Sequence, residues 1–99
     1  MRAVQFEVQA AREFNSAIDW YADIDRKLAA DLNVVVQEAL NRVARNPLQF
    51  KLALGTFRSI NLVRFPYQIY FDFSDSLLTV YCFFHTAQDP ALLQRRLSN

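Results

Sequence analysis

Ninety-nine residues are the length of one ordinary domain, and the chain reads as a single domain over residues 1–99. Hydrophobic residues make up 53% and aromatics 14%, against one glycine and three prolines, which excludes the disordered, collagen-like and linker classes. Eleven Lys+Arg against ten Asp+Glu leave a formal charge of +1, too little for a surface field that gathers polyanions, so bulk attraction to nucleic acid is not expected. The slight basic excess lies in the second half, where five basic groups meet three acidic ones; the first half has six and seven. Cys82 has no second cysteine to pair with and sits in an apolar run, so a buried core residue and a reducing, cytoplasmic setting are expected. No apolar signal core follows Met1, and no stretch approaches the ~20 apolar residues that cross a bilayer. Secretion and membrane insertion are not expected.

Val4, Phe6 and Val8 alternate with polar residues and predict a strand at about residues 2–8. From Ala10 the period lengthens. Ala11, Phe14, Ile18, Tyr21 and Ala22 recur at three and four residues and predict an amphipathic helix. After a break near Asp23-Ile24-Asp25, a second helix is marked by Leu28, Leu32, Val35, Val36, Ala39, Leu40 and Val43. Pro47 restricts Asn46 and ends it. Two helices joined by a short turn make a hairpin.

Residues 47–56 read as a loop. Three strand candidates follow, Phe57–Phe65, Gln68–Phe73 and Leu77–Phe84. In the last of them Leu78, Val80, Cys82 and Phe84 form one row at period two. Phe65-Pro66-Tyr67 and Ser74-Asp75-Ser76 are turns short enough to require antiparallel pairing. Asp89-Pro90 opens a short helix in which Leu93 and Leu97 share a face, and which needs docking to be stable. The expected fold is α+β: an N-terminal strand, a helical hairpin, a three-stranded antiparallel meander and a short C-terminal helix, with the second sheet face partly open.

The chemistry available is narrow. Gly55 is the only glycine, so phosphate-cradling loops and nucleotide-cofactor folds drop out, and no cofactor is expected. One His and one Cys cannot build the usual zinc site, and the carboxylates lack calcium-loop spacing, so no metal site is expected. Ser59 or Ser76 could be written into a triad with His85 and Asp72, but no elbow glycines frame either serine. Arg58, Arg64, Tyr67, Gln68, Tyr70, Tyr81 and His85 remain along the consecutive strands, with Arg95 and Arg96 in the tail. Arginine forks grip phosphates or carboxylates, and aromatics fill a partner's pocket. Arg58 and Arg64 share strand parity with Ile60 and Leu62, so each could equally lie at the end of a core row with its head in solvent. His85 could move a proton near neutral pH or simply close a strand. Tyr21 lies on the first helix's apolar stripe and Trp20 flanks it.

This ensemble resembles the RelE/ParE superfamily of toxins from type II toxin–antitoxin systems, also labelled plasmid-stabilisation proteins. The resemblance spans nearly the whole chain. It rests on Trp20-Tyr21, the second helix ending in Arg45-Asn46-Pro47, Arg58-Ser59-Ile60-Asn61-Leu62, Phe65-Pro66-Tyr67-Gln68-Ile69-Tyr70-Phe71, and a strand closing on His85 before Asp89-Pro90. It implies growth inhibition, with a cognate antitoxin as partner in a hetero-oligomer. Members of the RelE-like branch are ribosome-dependent messenger-RNA endonucleases; members of the ParE-like branch inhibit DNA gyrase without cutting RNA. Cutting RNA without a metal takes positioned cations and an acid/base group. Gln68 stands where nuclease members tend to carry arginine, and Thr86-Ala87-Gln88 replaces their basic stretch; only Arg58, Arg64 and His85 remain as catalytic candidates if the chain is a ribonuclease. The resemblance therefore favours a ParE-like, non-enzymatic toxin with gyrase as the implied target. Trp20, Tyr67, Tyr70, Tyr81, Arg95 and Arg96 are its expected partner-binding residues, and the antitoxin is expected as an extended or helical segment along the hairpin and sheet. The alternatives are a RelE-like nuclease acting on ribosome-bound messenger RNA, and an inactive member that binds only its antitoxin.

Overall fold

A computed structural model describes residues 2–98, so the ends of the expected 1–99 domain, residues 1 and 99, lie outside the described residues. The first strand, β1 (Ala3–Phe6), is shorter than its alternation suggests, because Glu7 already caps the next helix. Glu7 is extended, and its carboxylate accepts from the Gln9 N–H at 3.1 Å, which starts α1 (Val8–Ile24) two residues before the apolar stripe does. Asp25 closes α1 and opens α2 (Arg26–Arg45). Its N–H donates to the Tyr21 carbonyl at 2.8 Å, while its carboxylate accepts from the Lys27 N–H at 2.9 Å. The expected break is therefore a single residue. Asn46 ends α2, and Pro47–Gln49 form one turn of 3-10 helix.

The loop expected over 47–56 contains a strand, β2 (Leu52–Leu54), paired antiparallel with β3 (Phe57–Asn61). Gly55 makes that hairpin possible by taking φ +56°, a conformation that a side chain disfavours. Three mostly exposed residues leave no buried period in the sequence, which is why β2 was not visible there. The antiparallel run thus has four strands, continuing through β4 (Tyr67–Phe73) and β5 (Leu77–His85). β1 adds to β5 in parallel, so the sheet order is β1-β5-β4-β3-β2. β3 stops at Asn61 rather than Phe65: the Leu62 N–H donates to the Tyr67 carbonyl at 2.9 Å, and Arg64 turns the chain at φ 69°. Arg64 is therefore a turn residue, outside the row of Ile60.

β5 does not keep one face. Its register against β4 slips between Tyr70↔Cys82 and Phe71↔Val80, leaving Tyr81 as the extra residue of a bulge. Leu78 and Val80 consequently face the helical hairpin, and Cys82 and Phe84 face the other way. On the hairpin side, Phe71, Ile69, Leu78 and Phe83 pack with Leu32, Val36, Leu40 and Val43. Burying each such side chain contributes about 1.5–3 kcal/mol. On the opposite side α3 (Pro90–Ser98), started by the Asp89 carboxylate accepting from the Ala91 N–H at 3.0 Å, lays Leu97 and Leu93 against Tyr70, Cys82 and Phe84. No described helix is long and apolar enough to cross a membrane.

Candidate functional site

α1 crosses the sheet so that its polar flank meets the end of β5, the 85–89 turn and α3. The resulting groove has two lobes that share Gln9, Glu13 and Gln88. One lobe, of ≈ 530 Å³, is lined by Glu7, Tyr81, Phe84, Leu92, Arg95 and Arg96; the other, of ≈ 710 Å³, by Arg12, Ser16, Trp20, Tyr67, Phe83 and His85.

Glu13 divides them. Its Oε1 accepts from the Phe83 N–H at 3.1 Å, just beyond the bulge, and from Arg96 Nη2 at 2.9 Å. The same Nη2 donates to the Tyr81 carbonyl at 3.0 Å, so one carboxylate and one guanidinium tie α1, β5 and α3 together. Burial opposes the Arg96 charge, and the hydrogen bond and charge of Glu13 outweigh it, so the guanidinium titrates above its ordinary value. Arg96 Nε is buried without a hydrogen-bond partner. Cys82 lies beneath this pair; burial, reinforced by the Glu13 charge, pushes its thiol up to about 12.

In the second lobe an aromatic chain runs from solvent to the core. Trp20 is 60% exposed and meets the Tyr21 ring edge-on at 4.9 Å. Tyr21 contacts Phe65 and Tyr67, and Tyr67 stacks on Phe83 at 4.5 Å. Burial pushes the Tyr67 hydroxyl up to about 12, with Tyr21 adding to the effect. The His85 ring stands edge-on to Tyr67 at 5.0 Å, and its Nδ1 accepts from the Ala87 N–H at 3.0 Å. In the neutral ring the proton is therefore on Nε2.

The expected residues divide among several places. Trp20, Tyr67 and His85 come together in one lobe, and Tyr81, Arg95 and Arg96 in the other. Tyr67 is itself a buried core residue. Tyr70 is buried under α3, its hydroxyl donating to Gln68 Oε1 at 2.8 Å, and Tyr81 meets Phe57 edge-on at 4.9 Å. Arg58 and Arg64 are absent from the groove lining. Arg58 pairs with Phe71, four residues along β4 from the Tyr67↔His85 rung and so roughly 13 Å away along the strand. Its Nη1 donates to the Phe50 carbonyl at 2.6 Å. Arg64 bonds the Asp31 carboxylate at 3.2 Å; hydrogen bonds from Lys27 and Arg64 hold that carboxyl below its ordinary value. Glu13, Arg12, Ser16 and Gln88 were not anticipated as site residues. Glu13 gave only one signal, a carboxylate on the border of an apolar stripe, and its partners lie 70 and 83 residues away. Among the described residues no group of three His, Cys, Asp or Glu side chains could hold a metal.

A helical hairpin on one face of a mostly antiparallel five-stranded sheet, with a C-terminal helix across part of the other, agrees with the RelE/ParE-like fold expected from the sequence. No family model and no curated protein matches the sequence. Among solved structures, the chain is similar to one described as a chromosomal ParDE TA system from P. aeruginosa, with a TM-score of 0.72 over 86% of this chain and 96% of that one. At 15% sequence identity the likeness establishes the shared fold.

Proposed function

We propose that this chain is the toxin of a toxin–antitoxin pair, acting by binding a target protein rather than by cutting RNA, and held inactive by an antitoxin. The fold it shares with a chain of a ParDE system supports the pairing with an antitoxin. The observation that carries the non-enzymatic reading is the separation of Arg58 from His85, which belong to rungs four residues apart along β4. Arg58 is bound to the Phe50 carbonyl, Arg64 to Asp31, and His85 has its Nδ1 engaged by Ala87. One phosphodiester at His85 does not reach Arg58, whereas concerted acid/base and charge stabilisation by that pair requires that it should.

DNA gyrase is the target implied by the ParE-like resemblance. The antitoxin lies in the two-lobed groove, where the exposed Trp20 ring and the arginines Arg12 and Arg95 offer it an apolar anchor and charged rims. The chain works in the cytoplasm, stabilising the replicon that encodes the pair. Induced expression without an antitoxin is expected to produce filaments and a DNA-damage response with messenger RNA intact, and the purified chain to inhibit gyrase supercoiling. Rapid transcript cleavage in a translating extract would replace this reading by the nuclease one. Unaffected growth would reduce the chain to an antitoxin-binding protein.

A further inference from the structure

At the end of the sheet remote from His85, three arginines gather on two phenylalanine rings. The Arg2 guanidinium lies 5.1 Å and that of Arg58 5.9 Å from the centroid of Phe73, and that of Arg42 lies 5.8 Å from the centroid of Phe50. Main-chain carbonyls hold two of them in place. Arg2 donates to Ser74 at 2.6 Å and to Ala44 at 3.4 Å, and Arg58 to Phe50 at 2.6 Å. Arg45 in the last turn of α2 and Lys51 add charge alongside.

No carboxylate among the described residues forms a salt bridge with Arg2, Arg42 or Arg58, whereas Arg64 and Arg96 each have one. Glu38, one turn before Arg42, forms no such bridge, and Asp72 spends its Oδ1 on the Phe73 N–H at 2.7 Å. Carbonyl dipoles and ring faces offset only part of three full charges. Each guanidinium also keeps N–H groups to spare, since it has five.

We propose that this cluster is a binding site for the carboxylates of an extended acidic peptide segment lying beside β2. Planar guanidinium forks suit carboxylate geometry. β2 is the outer strand of the sheet, with no strand beyond it, and Leu52 on it and Leu48 just before it are exposed, so a peptide can take main-chain hydrogen bonds and apolar contacts there as well. A nucleic-acid strand is the less suitable anion: its bases need free aromatic faces, and here arginines already cover Phe50 and Phe73. The site is separate from the groove at α1 and α3 and does not depend on the toxin reading.

The test uses the full chain and a short fluorescent peptide of alternating glutamate and leucine, followed by anisotropy at low ionic strength. The peptide is expected to bind, and Arg42→Glu to weaken it by about tenfold or more by replacing attraction with repulsion. Arg42 is exposed and its side chain forms no hydrogen bond in the fold, so the variant folds; Lys51→Glu, on an equally exposed side chain, is expected to act in the same direction. Arg26→Glu, the same charge change at the far end of α2, is expected to leave binding within about twofold. Equal loss in Arg26→Glu, or no binding at all, would overturn the proposal. So would a single-stranded oligonucleotide that outcompetes the peptide and is itself lost in Arg42→Glu, because the partner would then be a nucleic acid.

Discussion

The two faces of the sheet are sealed in different ways. Against the hairpin, Phe71, Ile69 and Leu78 are wholly enclosed, between strands on one side and two long helices on the other. Against α3, four buried side chains, Tyr70, Cys82, Phe84 and Leu97, form a thin separate cluster. A helix of nine residues is too short to persist alone, so α3 stays helical only while those contacts and the Arg96–Glu13 bridge hold it. The hairpin face therefore sets the global stability, and the α3 face is where the molecule opens first.

Replacing Phe71 by Ala should strike hardest, lowering unfolding free energy by about 3–5 kcal/mol in urea titrations, because a cavity among enclosed neighbours has nothing to collapse into it. A loss as small as that from trimming α3 would contradict the contrast. Leu97→Ala is expected to cost less, about 2 kcal/mol, because the thin layer can close over the gap. Its sharper signature is chemical: Cys82, unreactive toward aromatic disulfides while covered, should react faster in Leu97→Ala. An unchanged rate would mean that α3 does not guard it.

Glu13→Gln keeps an acceptor for the Phe83 N–H and removes the charge facing Arg96. A loss of about 1–2 kcal/mol is expected, with Cys82 again more reactive and the gap to wild type narrowing in high salt. The smallest effect concerns alkaline pH. Tyr67 and Cys82 have folded-state values raised to about 12, from 10.0 and 9.0, so burial favours their neutral forms. Their contribution is complete below about pH 9 and is lost as pH rises through 9 to 12. Tyr67→Phe should therefore flatten the upper part of that decline in urea midpoints measured across the range; an unaltered slope would show that the hydroxyl is not the group responsible.

Most of the architecture was legible because it was written in local periods and punctuation. Leu28 to Val43 announces α2, Asp25 and Pro47 bound it, and Asp89-Pro90 starts α3. The bulge at Tyr81 was not legible, because Leu77 to Phe84 is apolar at nearly every position and either parity fits it. The site was half legible. Trp20, His85 and Arg96 stood out as residue types, but Glu13 acquires its role only when folding brings Phe83 and Arg96 to it. Arg58 and Arg64 stood out as well, but Arg58 lies four residues along β4 from the His85 rung, and Arg64 is turned to Asp31 and stays out of the groove lining.

Asp25 carries a consequence for how this chain can evolve. With one residue serving as the end of α1 and the beginning of α2, the connection has no slack in which an added or deleted residue could be absorbed. Each residue of shift turns a helix by about 100°. One inserted codon at this joint would put Asp31, Glu38 and Arg42 into the buried places of Leu32, Ala39 and Val43. Point substitutions can accumulate along both helices, but the length of the hairpin is locked at its hinge.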